Sequence, residues 1–593
     1  MKKLVALILA LLMMLSVGIA ASAEAPAVEG RIITISDYYE PPPGIHGNPI
    51  IPTTGLGGSR EFIMDRLVEY VAVPVETYLW FTAESAEQDG DKTIVRLREN
   101  AKWSDGTPLT AKDVVANYNI RYIMGDSVWQ YLTKVEIIDD NTVAFVWHTF
   151  SPLMPRMAYN LHIEMSYDDF GKWADEVQQY IDKRTWDDKQ RVWSNATEDW
   201  EEVQKVKEDL FTYMPDITTI RCSGAYKVVS VNANEMMLSK NNYYWNAENV
   251  KIENVRIQRY VSAEAYLTTV MNGGYDTEPH GLTPDLFKQL EENNPQMVTK
   301  WVPDLGQPSF QFNITKAPLD NPIVRQAIAY IIDRELLLEI AEPGTLPPDY
   351  YCTGLTPLWR DSYLTDDLKA KLNLYVPDYD KADELLEGIG WTRGGDNYWR
   401  DENGDVVEIE VSSMNSWPIF FACGEAASLM LDEYGIKSTF NAMELTAYWQ
   451  FIDNGDAMIS CDFRGGTTQR GPWEAYSGTY IWSNSRIGLN PQGSPPDFPI
   501  VVTKLDGTQV DVREQLYKMF YGSAEENQEA IETMMLLSNE QVFVLPIGEK
   551  YAPMKIHNPN LAYPEDGNDP LWYMGHMRAY ARLLKSGALY FKD

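Results

Sequence analysis

Cysteine and histidine are scarce in this chain, four and six among 593 residues. No C-x-x-C and no His/Cys pair at zinc spacing occurs, which excludes the usual sequence signatures of a structural zinc site. Cys222, Cys352, Cys423 and Cys461 lie far apart. Three disulfide pairings are open to them, and four buried thiols serving as small hydrophobes are an equal alternative. Basic residues are outnumbered, 50 Lys and Arg against 86 Asp and Glu, for a formal charge of −36. That balance opposes nucleic acid or anionic lipid as partners. Beyond the first residues no apolar run is long enough to span a bilayer, and no segment repeats with the period of a solenoid or propeller. Sequence motifs of covalent chemistry are missing too: no H-E-x-x-H, no G-x-S-x-G, no Walker A and no Rossmann glycine pattern. Gly55-Leu56-Gly57-Gly58-Ser59 lacks the Lys and helix signal of a phosphate loop and reads as a flexible surface loop. No cofactor and no metal are expected.

Against these absences stands a marked beginning. Lys2 and Lys3 precede an apolar run from Leu4 to about Ile19, and Ala21-Ser22-Ala23 supplies a small-residue cleavage site. This is the pattern of a secretory signal over residues 1–23. Glu24, Pro26 and Glu29 follow at once, which favours cleavage over a membrane anchor. A secreted protein is expected, in a compartment that permits disulfides. Length and a hydrophobic share of 45% imply two or more folded domains. Strand-like runs such as Thr142–Trp147, Tyr226–Val231, Val406–Val411 and Val542–Leu545 alternate with helical ones such as Ala327–Ile340, Cys423–Tyr434 and Gln528–Asn539, an α/β order. The charged, Trp-rich stretch from Asp168 to Asp209 reads as an insertion.

One segment is more informative than the rest. Val95 and Leu97 alternate with Arg96 and Arg98, Asp105-Gly106 makes a turn, and Thr110 with Asp113 has the spacing of a capping box. Its wording, Val95-Arg96-Leu97-Arg98-Glu99-Asn100-Ala101-Lys102-Trp103-Ser104-Asp105-Gly106-Thr107-Pro108-Leu109-Thr110-Ala111-Lys112-Asp113-Val114-Val115, resembles a conserved stretch of the family 5 extracellular solute-binding proteins, the peptide-type receptors that feed ABC importers. Further stretches resemble the same family in order: Cys222–Val228, Asn241–Trp245, Met271–Asp276, Phe312-Asn313 with Pro318–Ile328 and Ile332–Arg334, and Tyr379–Leu386. Together they cover nearly the whole mature chain.

The resemblance implies an α/β, bilobal fold of the periplasmic-binding-protein type II kind, with a two-crossing hinge and an extra subdomain in lobe 1. Lobe 1 would hold residues 24–306 (subdomain about 60–210), lobe 2 residues 307–545, and residues 546–593 would return to lobe 1, with the crossings near Phe312 and Leu545. It implies a monomeric, non-enzymatic receptor in the periplasm or at the outer face of the membrane. The receptor would capture a short oligopeptide or oligosaccharide and deliver it to an ABC permease. Gram-positive members usually carry a cysteine at the cleavage point; none precedes Cys222 here, so no lipobox is expected. A secreted glycoside hydrolase is the rival, since an acidic chain with 18 Trp and 35 Tyr also suits one.

The expected ligand-binding residues are Trp417, Asp462, Arg464, Trp473, Tyr476 and Trp482. Trp417 follows a strand and precedes a helix, and the comparable loop of the family often faces the cleft. Trp473, Tyr476 and Trp482 form the sharpest aromatic cluster, able to stack on sugar faces or wall a peptide pocket. Peptide-binding members carry a Gly-Trp-x-x-Asp-Tyr-like motif whose Asp pairs with the peptide ammonium. Here Gly465 falls near that Asp, leaving Asp462 as a shifted substitute for the amine and Arg464 as a partner for a carboxylate.

Overall fold

The computed structural model describes residues 29–51, 55–72, 76–188, 191–194, 199–341, 344–464, 470–490 and 498–592. The expected signal segment lies outside the described residues, as does most of the Gly/Pro-rich stretch after Gly488.

The chain enters on strand β1 (Ile32–Asp37) and leaves at once on a long excursion. This comprises β2 (Ala83–Asp89), β3 (Lys92–Leu97), α1 (Ala111–Ile123), β4 (Leu132–Asp139), β5 (Thr142–Trp147), α2 (Tyr167–Ile181), a hairpin of β6 (Trp186–Asp187) and β7 (Val192–Trp193), and α3 (Trp200–Thr212). Its strands form an antiparallel sheet in the order β2-β3-β5-β4. Helix α1 begins where its sequence says, with Thr110 and Asp113 closing a reciprocal capping box. The stretch from Asp168 to Asp209 packs on this core: α2 buries Phe170, Trp173 and Val177, and α3 buries Val203, Val206 and Leu210.

The chain then returns to the sheet of β1 through β8 (Tyr226–Val231), β9 (Glu235–Lys240), β10 (Asn254–Arg259), β11 (Thr277–Glu278) and β12 (Val298–Pro303). The second lobe follows: β13 (Pro308–Phe312), α4 (Pro322–Ile331), β14 (Glu408–Met414), α5 (Pro418–Tyr434), β15 (Lys437–Met443), α6 (Leu445–Asp453), β16 (Ile459–Phe463), α7 (Pro472–Ser477), α8 (Val512–Tyr521), α9 (Ala524–Gln541) and β17 (Val544–Pro546). Strand β18 (Tyr551–Ile556) and helix α10 (His576–Lys585) complete the first lobe. Its sheet runs β8-β9-β10-β1-β11-β18-β12, and that of the second lobe β15-β14-β16-β13-β17. The fold is thus two-lobed and α/β.

The chain crosses between these sheets twice, at residues 304–307 and 547–550. The crossings run antiparallel as a ribbon: Asp304 N–H donates to Lys550 O (3.2 Å), Lys550 N–H to Gly306 O (2.9 Å) and Ile547 N–H to Pro308 O (2.7 Å). Phe312 and Leu545 sit a few residues further on, inside the second sheet, where β13 pairs with both β16 and β17.

Each lobe has its own core, but another apolar cluster joins the excursion to α7, α8 and α9. Phe520 stacks on Tyr131 with centroids 4.9 Å apart, Ser151 Oγ donates to Phe520 O, and the Arg191 guanidinium lies 3.4 Å over the Tyr517 ring. The lobes therefore meet at a second place besides the hinge. All four cysteines are buried and free, and burial pushes the thiols of Cys222, Cys352 and Cys423 up to about 12. Of the two alternatives open in the sequence, they act as small hydrophobes.

Candidate ligand-binding site

In open α/β sheets the natural crevice lies beyond the carboxyl ends of the parallel strands, where the strand order reverses. In the first lobe that point is β1, which is parallel to β10 on one side and β11 on the other. Its carboxyl end runs into Asp37-Tyr38-Tyr39, and Tyr38 is 52% exposed. The Gly57–Ser59 turn folds tightly onto this end. A Cβ on Gly57 (φ +55°) would lie 1.8 Å from Tyr38 O, so the approach requires glycine. The flexible surface loop expected there is instead a packed 3-10 turn with Ser59 buried, because it closes over the Asp37 carboxyl. Burial pushes that carboxyl up to about 7, against backbone hydrogen bonds from Tyr38, Gly58 and Ser59.

In the second lobe the reversal lies between β14 and β16. These strands pair only at Val411/Ile459 and Ser412/Ser460 and then separate. Tyr448 fills the gap, its hydroxyl donating to Cys461 O (2.8 Å) and accepting from Cys461 N (3.0 Å). Trp417 caps α5 just beyond β14 and is 40% exposed. Its ring stacks on Phe420 (5.5 Å) and lies 6.0 Å from Phe463, itself edge-on to Phe420 at 4.8 Å. Phe463 abuts the hinge: a Cβ on Gly306 would lie 3.2 Å from its ring, and the Lys550 ammonium stands 5.8 Å from its centroid. Lys550 and His576 both reach Asp304, at 3.6 and 3.4 Å. Trp417, Phe420 and Phe463 thus form an aromatic platform at the switch point and beside the hinge.

The other expected residues divide. Asp462 on β16 and Arg464 just beyond its end come together, but the Asp462 carboxylate is already shared by Arg464 Nη1 (3.1 Å) and Arg486 Nη1 (2.7 Å). Burial raises its pKa against the pull of both guanidiniums. Trp473 and Tyr476 belong to the apolar cluster between the lobes. Trp473 is buried 4.8 Å from Phe520, and Tyr476 is fully buried with its hydroxyl donating to Thr353 O (2.9 Å). Trp482 is 55% exposed, edge-on to Trp473 at 5.9 Å, with the Arg470 guanidinium 5.3 Å from both rings. Sequence reading missed Tyr38, Phe420 and Phe463. The available signal was the position of Tyr38 and Phe463 at the carboxyl ends of strands, whereas Phe420, in the first turn of α5, carried none. Among the described residues no group of three or more His, Cys, Asp or Glu is placed to hold a metal, and no helix is long and apolar enough to cross a membrane.

Residues 79–486 match the family described as bacterial extracellular solute-binding proteins, family 5 Middle. The chain belongs to this family. Within family 5, it is 24% identical over 366 residues to the periplasmic oligopeptide-binding protein OppA of Haemophilus influenzae, covering 56% of this chain and 60% of that protein. It is 28% identical to OppA of Salmonella typhimurium over 45% of this chain and 46% of that protein. The chain therefore spans about half the length of these curated relatives. The fold is similar to that of a periplasmic oligopeptide-binding protein from Thermotoga maritima, with a TM-score of 0.72 at 18% identity over 95% of this chain and 99% of that one. A mannohexaose-bound structure of that Thermotoga protein superposes with a TM-score of 0.63.

Proposed function

We propose that this family 5 protein is the non-catalytic, extracytoplasmic receptor of an ABC importer. It captures a short oligomer between its lobes and presents it to a membrane permease as a monomer. The observation that carries this reading is the pair of strand-order reversals, each with an exposed aromatic at its carboxyl end, joined by a two-crossing ribbon. Such a hinge lets Tyr38 and Trp417 approach a ligand from opposite lobes. Aromatic faces suit the flat C–H surfaces of sugars as well as peptide side chains. OppA is named for oligopeptides and the Thermotoga neighbour was solved with mannohexaose, so relatives support both ligand classes. Asp462 on β16 and Glu474 on α7 favour ligands without a free amine, because Asp462 is held by two arginines and Glu474 by Arg470 at 3.0 Å.

Two measurements test the reading. Deleting the gene should abolish uptake of the oligomer that stabilises the purified protein against heat. The purified protein should return that oligomer unchanged after prolonged incubation. Intact uptake together with turnover of a substrate would replace the receptor by a hydrolase.

A further inference from the structure

Glu549 lies on the second hinge crossing with its side chain fully buried. Its chain neighbour Lys550 turns to Asp304 and the Phe463 ring. Glu549 turns instead toward the stretch of the second lobe between Leu346 and Asp361. The crossing is bridged to that stretch by Glu549 N–H to Leu346 O (3.2 Å) and Leu346 N–H to Glu549 O (2.9 Å). The short helix Pro357–Arg360 faces the carboxyl with its Leu358 N–H. Neither carboxyl oxygen, however, has a hydrogen-bond partner of good geometry.

The cation that faces Glu549 is already engaged. Arg360 is held at Nη1 by Asp349 (3.0 Å) and at Nε and Nη2 by Asp361 (2.8 and 2.7 Å). Asp304 on the first crossing and Asp361 both raise the cost of a charge at Glu549, and Tyr551 is the remaining titratable group beside it. A buried carboxylate without a partner is costly, and keeping the proton is the usual escape. Burial accordingly pushes this carboxyl up to about 7.

The cover over this carboxyl comes from both lobes. Leu358 and Trp359 pack in one apolar cluster with Tyr70, Val71 and Tyr573 of the first lobe and Leu305 of the first crossing. Thr356 Oγ1 and Trp359 Nε1 are buried in the same stretch without a partner. A hinge residue whose cover depends on both lobes meets water when they part.

We propose that Glu549 couples capture to a proton: its carboxyl is protonated while the lobes are closed and ionises when they open, so that capture takes up one proton from water and release returns it. This rests on the receptor reading above and adds regulation to the same site. Once hydrated in the open form, the carboxyl titrates in the ordinary carboxylate range. The closed form has the raised value and the open form the lower one. Affinity is therefore greatest below pH 4.5, falls as pH rises between 4.5 and about 7, and is level above.

Two readouts on the full chain test this. Solution scattering needs no ligand. The free wild-type protein should have a smaller radius of gyration at pH 5.5 than at pH 8.5, and Glu549→Gln, neutral throughout, should keep the smaller radius at both. A radius that changes equally in the two proteins, or in neither, overturns the proposal. Calorimetry then uses mannohexaose and N-acetyltetraalanine, neither of which titrates over this range. A probe that binds should do so up to about tenfold more tightly at pH 6 than at pH 8. At pH 6 its heats in phosphate and in bis-tris should differ by the uptake of up to one proton, a comparison made on wild type alone. Glu549→Gln should lose both effects and bind at pH 8 at least as tightly as wild type does at pH 6. Binding without proton uptake at pH 6 sinks the coupling and leaves the receptor reading standing. Turnover of a substrate with no oligomer bound removes both.

Discussion

At the scale of single residues, Glu549 on the returning hinge crossing is the clearest site of pH dependence. Burial pushes its carboxyl from 4.5 up to about 7, with Asp304 and Asp361 adding to the rise and the Leu358 backbone and Arg360 opposing it. Tyr551 is the further titratable neighbour. A carboxyl raised in this way keeps its proton in the folded chain over a range where the unfolded chain has lost it. Its contribution is thus greatest below pH 4.5, declines between 4.5 and about 7, and is gone above. A shift of this size corresponds to roughly 3 kcal/mol. Glu549→Gln should therefore match wild type at pH 4, below both values, and exceed it at pH 8, read as melting temperature across that interval. A variant that loses stability between pH 5 and 8 as wild type does would assign the dependence elsewhere, Asp37 being the next buried carboxyl near 7.

The aromatics make a second contrast at this scale. Trp417→Ala should weaken ligand binding several-fold, since stacking contributes about 0.5–1.5 kcal/mol beyond area burial. It should scarcely move the melting temperature, because the ring is half exposed. Trp473→Ala removes a buried ring from the cluster between the lobes and should cost about 3–5 kcal/mol of stability. The reverse pattern, with Trp473→Ala affecting affinity alone, would restore Trp473 to the ligand site. The burial of Trp473 and Tyr476 was not legible in the sequence, for a physical reason. The group that accepts the Tyr476 hydroxyl is 123 residues away, and the ring that packs on Trp473 comes from α8, so nothing local distinguishes a buried cluster from an exposed one.

At the scale of elements, what was legible was what is determined locally. The strand–turn–helix from Val95 to Val115 is fixed by alternation, a Gly turn and a capping box, all within one short segment, and it forms as read. The hinge crossings are not local. Apolar extended runs near Phe312 and Leu545 mark the strands that flank them, but where a strand leaves one sheet depends on its pairing partners. The β6/β7 hairpin was equally hidden, though its chemistry is plain once folded. Trp186 stacks on His148 at 3.7 Å and Trp193 packs against both. Nearby, Arg191 reaches α8 of the other lobe. A cation–π contact of this kind is worth about 0.5–2 kcal/mol, and it exists only while the lobes touch. Tyr517→Ala should therefore lower ligand affinity between roughly twofold and thirtyfold, mainly through faster dissociation, without altering which ligands bind. Unchanged dissociation in stopped-flow measurements would remove the hairpin from the closure mechanism.

At the scale of the molecule, the covalent ribbon joins the lobes, and among their further contacts is the apolar cluster in which Tyr131 of the first lobe stacks on Phe520 of the second. If ligand is captured between the lobes as proposed, the ribbon is the part that flexes and the cluster the part that opposes opening. A ligand shifts such an equilibrium only by its differential affinity for the closed form, and its apparent dissociation constant rises as the closed fraction of the free protein falls. Tyr131→Ala removes the stack without touching Trp417, Phe463 or Arg464. It should therefore enlarge the radius of gyration of the free protein, leave that of the ligand-saturated protein at the wild-type value, and weaken binding in proportion to the closed population lost. Wild type itself should shrink on binding, by less than the variant does. If the variant has the wild-type radius in both states and binds as wild type does, the Tyr131–Phe520 contact is not made or broken during capture, and the moving surfaces must be sought nearer the hinge.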